Sequence, residues 1–245
     1  MEKEEFLVGE IEKLGISVEK SQAEKLLAYY RMLVAKNEVM NLTAITDFEE
    51  VVIKHFADSL SIVKLKGMKE LLTSCGPSLI DVGTGAGFPG MVLKIVFPGV
   101  RVTLLDSLQK RIEFLTEVSG ALGLQDIRCV HGRCEDLAKP GPDSLRESFD
   151  LCTSRAVARL SVLSEYALPF VRVGGSFVAY KSGDYQEELA QAGNAITTLG
   201  GGEAQVESFL LPGTEISRTL IRMEKTAPTP EKYPRKAGMP AKKPL

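Results

Sequence analysis

The sequence predicts an α/β fold, a parallel sheet with right-handed crossovers preceded by a helical extension. Two patterns carry this. Residues 1–65 repeat apolar side chains at helical spacing, and from residue 78 short apolar runs alternate with amphipathic segments. A third observation, a cluster of glycines at the end of the first apolar run, marks where such a sheet would bind a ligand.

In the extension, Leu26, Tyr30, Leu33 and Met40 form one stripe, and Phe48, Val52, Phe56, Leu60 and Val63 form a second. Between them NLTAITD (41–47) suits a turn, with Asp47 as N-cap and Glu50 completing a capping box. The runs SLIDVG (78–83), VTLLD (102–106), IRCVHG (127–132), FDLCTS (149–154) and GSFVAY (175–180) read as strands buried on both faces. Segment 108–122 reads as a helix with Leu108, Ile112, Leu115 and Leu122 on one face. The alternation requires right-handed crossovers. After residue 184 comes another helix, then AQVESFLL (204–211) and SRTLIRME (217–224). These two are expected as antiparallel edge strands joined around Pro212-Gly213. The expected organisation is a helical extension (1–65), a ligand-binding core domain (66–225) and a Pro-rich tail (226–245). The tail has five cations against one anion, a formal charge of +4. It reads either as a solvated tail or as an arm that contacts phosphate.

The composition narrows the function classes. A chain of 245 residues, 44% apolar and 25% charged, has the make-up of a soluble globular protein of one large domain or two small ones. A net charge of -2 and a pI of 5.9 argue against a uniformly basic nucleic-acid coat and leave room for a local basic patch. The start is acidic and unlike a signal peptide, and no run of ~18 apolar residues suggests a membrane span. Cys75, Cys129, Cys134 and Cys152 form no CxxC, and His55 and His131 are far apart, so no metal site is expected. Free thiols point to a reducing cytoplasm.

The most informative segment is LIDVGTGAGFPG (79–90), in which a strand ends in glycines and a helix begins near Pro89. Gly85-Ala86-Gly87-Phe88-Pro89-Gly90 matches GxGxxG, the dinucleotide fingerprint. Asp81 followed by Gly83-x-Gly85-x-Gly87 matches the first motif of class I S-adenosylmethionine methyltransferases. A non-binding turn is the third reading. Asp81 favours the methyl donor, because a carboxylate suits a sulfonium and an ammonium and would repel a pyrophosphate. On that view Asp81→Ala should weaken cofactor affinity with little loss of folding. Asp106, at the end of the second strand, fits ribose hydroxyls in either case, and Ser107 and Leu108 follow it. Cys134 and Glu135 follow the third strand, on the side where adenine is usually cradled.

In combination, NLTAI (41–45), KHFADSL (54–60), DVGTGAGFPG (81–90), LLDSLQKRIEFL (104–115), GRCEDL (132–137), SRAVARL (154–160) and YPRKAGMPAKKPL (233–245) resemble the RsmG (GidB) family of small-subunit rRNA guanine-N7 methyltransferases. The resemblance covers nearly the whole chain. It implies a class I S-adenosylmethionine-dependent (Rossmann-like) methyltransferase fold with an N-terminal helical extension. By matching motifs, cofactor contacts would fall at Gly83, Phe88, Asp106 to Leu108, Cys134, Glu135 and Arg155. Asn41 and His55 would face the cleft. The implied substrate is guanine-527 in the decoding-region loop of 16S rRNA, within the small ribosomal subunit. A monomer is expected. Cys134 stands where small or apolar residues are usual, which a backbone contact would tolerate.

The residues agree with N7 chemistry. After the fourth strand stands Thr153-Ser154-Arg155-Ala156, without the Asn/Asp-Pro-Pro-Tyr motif used on exocyclic amines. No cysteine sits beside proline as a pyrimidine-C5 nucleophile would. Guanine N7 carries a lone pair and no proton, so direct in-line transfer needs alignment and no general base. Substrate positioning would fall to Arg155 and Arg159 after the fourth strand and to Lys181 after the fifth. A cation aimed at N7 would compete for its lone pair, so Arg155 is expected to hold cofactor or phosphate, or else a nearby acid. Lys110 and Arg111 occupy a first helical turn, where the dipole disfavours cations. They read as contacts for an anion, although Lys110–Glu113 pairing competes. With Arg235, Lys236, Lys242 and Lys243 they are the RNA-binding candidates. Aromatics are 7% with no Trp, so phosphate contacts and shape, rather than base stacking, should dominate RNA recognition. A nicotinamide or flavin oxidoreductase and a noncatalytic RNA-binding module are the competing functions.

Overall fold

The computed structural model describes residues 2–142, 144–183 and 185–245. The chain opens with α1 (Lys3–Glu12) and α2 (Lys20–Met40). After the 41–47 turn come α3 (Phe48–Val51), a π-helical turn (Val52–Ala57), α4 (Asp58–Leu60) and α5 (Met68–Thr73). The alternating region follows as β1 (Ser78–Val82), α6 (Gly90–Val96), β2 (Arg101–Asp106), α7 (Gln109–Ala121), β3 (Ile127–His131), α8 (Cys134–Leu137), β4 (Phe149–Arg155), α9 (Leu160–Ala167), β5 (Val171–Lys181) and α10 (Gln186–Thr198). Then come β6 (Gly201–Leu210), β7 (Ser217–Lys225) and a last turn, α11 (Met239–Lys242).

The strands form one sheet in the order β3-β2-β1-β4-β5-β7-β6. The first five pair in parallel, and β7 runs antiparallel to both β5 and β6. Successive side chains point to opposite faces, so the sheet divides its apolar residues between two cores. Leu79, Leu104, Val178 and Leu220 meet α2, α6, α7 and the 48–65 segment on one face. Ile80, Leu105, Phe177 and Ile221 meet α9 and α10 on the other. The N-terminal helices thus share a continuous core with one face of the sheet.

Several expectations change in three dimensions. β7 lies inside the sheet, paired with both β5 and β6, so of the two late strands only β6 is an edge. β3 is the other edge and is half-exposed rather than buried on both faces. In α2 the buried stripe is Ala23, Leu26, Tyr29 and Leu33. Tyr30 turns outward and donates to the Thr46 carbonyl at 3.1 Å. Asp47 caps the Glu50 amide at 3.0 Å, but the Glu50 carboxylate pairs with Lys54, so the reciprocal half of the box is missing. Leu108 is the N-cap of α7 and 43% exposed, not part of its buried face.

The tail is docked rather than solvated. Tyr233, Pro234 and Pro240 are buried. The Arg146 guanidinium donates to the carbonyls of Tyr233 at 2.7 Å and of Thr229. Arg235 grips the carboxylate of Glu165, itself 1% exposed, with Nη2 donating to Oε2 at 2.6 Å.

Candidate functional site

The glycine loop turns between β1 and α6 at the carboxyl end of the sheet. Gly83 and Gly87 have φ of 68° and 108°, in the left-handed region, and neither has room for a side chain. A Cβ would lie 2.5 Å from Val157 Cγ2 at Gly83 and 2.6 Å from the Tyr29 hydroxyl at Gly87. The loop is held from below. Asp81 is fully buried, and its Oδ2 accepts from the Thr84 hydroxyl at 2.6 Å and the Gly90 amide at 3.0 Å. Its Oδ1 accepts from the Thr153 hydroxyl at 3.0 Å. Burial raises its pKa, against those hydrogen bonds. Asp81 therefore fastens the loop to α6 and β4 and does not line the cavity above, where the sequence argument put its carboxylate. From α2, the Tyr29 hydroxyl donates to the Ala86 carbonyl.

Above the loop is a cavity of about 670 Å³. Gly83, Gly85, Phe88, Asp106, Ser107, Cys134, Glu135 and Arg155 all line it, so residues from three βα turns and the end of β4 converge as expected. Gly87 lies beneath and Leu108 contributes a cap outside it. Asp106 Oδ2 accepts from the Gly85 amide at 2.9 Å, and its Oδ1 accepts from the Leu108 amide at 2.9 Å. Arg111 donates to Asp106 at 3.2 Å. Glu135 Oε1 accepts from the Gly238 amide at 2.8 Å, and Gly238 and Ala241 complete the wall. Burial pushes the Cys134 thiol up to about 12, so it stands protonated.

Arg155 is fastened rather than free. Its Nη1 donates to Asp58 Oδ2 at 2.7 Å and to the Lys54 carbonyl at 3.2 Å, while its guanidinium lies 5.1 Å from the centre of the Phe88 ring. The other Asp58 oxygen accepts from Arg218 Nε at 2.8 Å. His55 stacks on Phe88 at 4.5 Å, and its Nε2 lies 2.9 Å from the Thr43 hydroxyl. Burial, then the Arg155 charge, lower its pKa to about 3, so the imidazole is neutral.

His55, Arg155 and Ala156 also line a second cavity of about 430 Å³, with Lys54, Asp58, Lys181, Glu188 and Arg218. Lys181 thus reaches the site, but Arg159 stays exposed at the N-cap of α9, outside both cavities. Asn41 is exposed and ends α2 in the left-handed conformation, and the cavity contacts come from Leu42 and Thr43 instead. Lys110 is exposed, and Glu113 accepts from Gln109 rather than pairing with it. Lys236, Lys242 and Lys243 are exposed beside the cavity wall, whereas Arg235 is spent on Glu165. Tyr29, Asp58, Thr153 and Arg218 were missed. Asp58 had one signal, since His55 and Asp58 are three residues apart and such a spacing shares a helix face. Among the described residues no cluster of His, Cys, Asp or Glu could hold a metal ion, and no helix is long and apolar enough to cross a membrane.

Known proteins resemble the chain in sequence and in fold. The chain matches the family model described as GidB, rRNA small subunit methyltransferase G, over residues 22–220. The ribosomal RNA small subunit methyltransferase G of Alkaliphilus metalliredigens is 48% identical over 245 residues, all of both chains. Among solved structures, a chain of the Haloferax volcanii complex between the Trm112 methyltransferase activator and a methyltransferase superposes with a TM-score of 0.57 at 14% identity. It covers 80% of this chain and 98% of that one. MtNAS in complex with S-adenosylmethionine gives 0.54 at 13% identity, covering 83% and 73%. The fold is that of the class I methyltransferases. The family also chooses between the two glycine-loop readings, against the dinucleotide. The chain belongs to the GidB family of rRNA small subunit methyltransferases.

Proposed function

We propose that the protein transfers a methyl group from S-adenosylmethionine to N7 of a guanine, guanine-527 of the decoding-region loop of 16S rRNA, on the small ribosomal subunit in the cytoplasm. The residues fit the cofactor. The 670 Å³ cavity is of a size for a small-molecule ligand, and a Cβ built at Gly85 would meet nothing closer than 4.0 Å, leaving the backbone open to close approach. Asp106 and Glu135 offer carboxylates where ribose and adenine would lie. When bound, S-adenosylmethionine supplies an electrophilic methyl group that an in-plane nitrogen lone pair can take without losing a proton.

One observation carries the N7 reading: among the described residues, those that line both cavities, His55, Arg155 and Ala156, include no competent general base. With its pKa at about 3, His55 is too weak to deprotonate an amine or hydroxyl. Asp58 already accepts from two guanidinium groups. Cys134, Cys129 and Cys152 have thiols that burial keeps protonated, which disfavours a thiolate nucleophile. What the chain supplies is alignment, and the Arg155 guanidinium that borders the site is already paired with Asp58 at 2.7 Å, which lessens its pull on the N7 lone pair.

The test incubates the protein with unmethylated small subunits and labelled S-adenosylmethionine, followed by mass spectrometry of the nucleosides. The expected product is 7-methylguanosine. A methyl on an exocyclic amine or pyrimidine carbon would overturn the N7 reading, and subunit binding without methyl transfer would favour the noncatalytic module.

A further inference from the structure

We propose that Lys181 and Glu188 read the Watson–Crick edge of the acceptor guanine in the second cavity; this rests on the guanine-N7 reading above. The pair sits where β5 ends and α10 begins, 13% and 22% exposed. Lys181 Nζ donates to the Ala158 carbonyl at 2.9 Å and to Glu188 Oε1 at 2.5 Å, and Oε1 also accepts from the Leu160 amide. An ammonium has three protons, so one remains to be donated. Among the described residues, both hydrogen bonds to Glu188 fall on Oε1, which leaves Oε2 for a ligand.

A cation beside a carboxylate oxygen is the complement of guanine. O6 accepts, and the neighbouring N1–H and exocyclic amine donate. Adenine reverses the order, placing an amine against the ammonium and an unprotonated N1 against the carboxylate. The other cations of this cavity are less suited. Arg155 and Arg218 are held by Asp58, and Lys54 by Glu50. Guanine N7 lies beyond O6 from N1. A base held at its Watson–Crick edge by Lys181 and Glu188 therefore turns N7 away from α10. On that side stand His55, Arg155 and Ala156, which border the cofactor cavity. Reading this edge requires the base to leave any stack it occupies.

The competing explanation is that Glu188 only pins the start of α9 through the Leu160 amide. Glu188→Gln keeps an oxygen for that amide and can replace the second acceptor with an NH₂ group. Small subunits are reconstituted with guanosine or inosine at the target, inosine lacking only the N2 amine, and kcat/KM for methyl transfer is measured. In the unmodified chain inosine should lower kcat/KM about tenfold to a hundredfold. Glu188→Gln should lose about as much on guanosine, and inosine should then cost it little more. Cofactor Kd should not change. Lys181→Gln should lose activity on both bases, since both carry O6. Full activity in either variant, or losses from Glu188→Gln and inosine that simply multiply, would overturn the proposal. If the unmodified chain yields 7-methylguanosine, such a result defeats the edge reading alone. A different methylated nucleoside defeats the N7 reading beneath it.

Discussion

Replacing Asp58 by Asn tests whether the carboxylate that joins the extension to β4 and β7 is what holds Arg155 at the cavity wall. Asp58 is 2% exposed and accepts one charge-assisted hydrogen bond on each oxygen, at 2.7 Å from Arg155 and 2.8 Å from Arg218. Each such bond is worth about 1.5–3 kcal/mol. Asn keeps one acceptor and turns an NH₂ group toward the other guanidinium, so one bond is lost and both are weakened. Breaking a fully buried pair costs about 3–5 kcal/mol. The arginine side chains are 15% and 20% exposed, and water reaching them reduces the penalty to about 2–3 kcal/mol. That leaves a folded protein if its total stability is in the ordinary range of about 5–15 kcal/mol. Urea unfolding should show a midpoint lowered by about 1 M with an unchanged slope. The loss should persist in high salt, because a buried pair is little screened. Calorimetry should show S-adenosylmethionine binding weakened about tenfold, as Arg155 loses its anchor. A stability loss below about 0.5 kcal/mol, or one that vanishes in 1 M salt, would refute the reasoning, because the bonds would then behave as surface ion pairs.

Three further outcomes are expected. His55 has its pKa depressed in the folded state, so it stays neutral while the unfolded chain takes up a proton below the ordinary value of 6.5. Stability from this source is fully present above that pH and is lost as pH falls toward 3. Between pH 8 and pH 5 the unmodified chain should lose about 2 kcal/mol more than His55→Gln, and parallel curves in thermal or urea unfolding would contradict the assignment. Asp81→Ala should destabilise by about 2–4 kcal/mol as well as weaken the cofactor, because Thr84, Thr153 and the Gly90 amide lose a buried acceptor. A variant with normal Tm and weak cofactor binding would instead support a direct contact. Replacing Lys236, Lys242 and Lys243 by Gln should reduce the magnitude of the log K against log salt slope for rRNA binding by about 2–3, with cofactor Kd unchanged. An unchanged slope would mean that the tail carries no phosphate contacts.

What local patterns can express, the sequence determined. Strand–helix alternation, the glycine loop after β1 and the acid at the end of β2 each depend on a few neighbouring residues, through periodicity or backbone conformation. Those features placed eight predicted residues around one cavity. The sequence could not show what those residues are tied to. Asp81 was legible as a carboxylate before a glycine, but the Thr153 hydroxyl that helps make it a loop anchor is 72 positions away. Arg155 was legible at a strand end, but its partner Asp58 lies 97 positions earlier and shares its other oxygen with Arg218, 160 positions later. The basic tail could be read as solvated or as a phosphate-contacting arm, and nothing in its own residues showed that Glu165 and Glu135 would meet Arg235 and the Gly238 amide. Long-range ion pairs and hydrogen bonds leave no periodic trace in the chain, because the sheet and its two cores, not the spacing of residues, bring their members together.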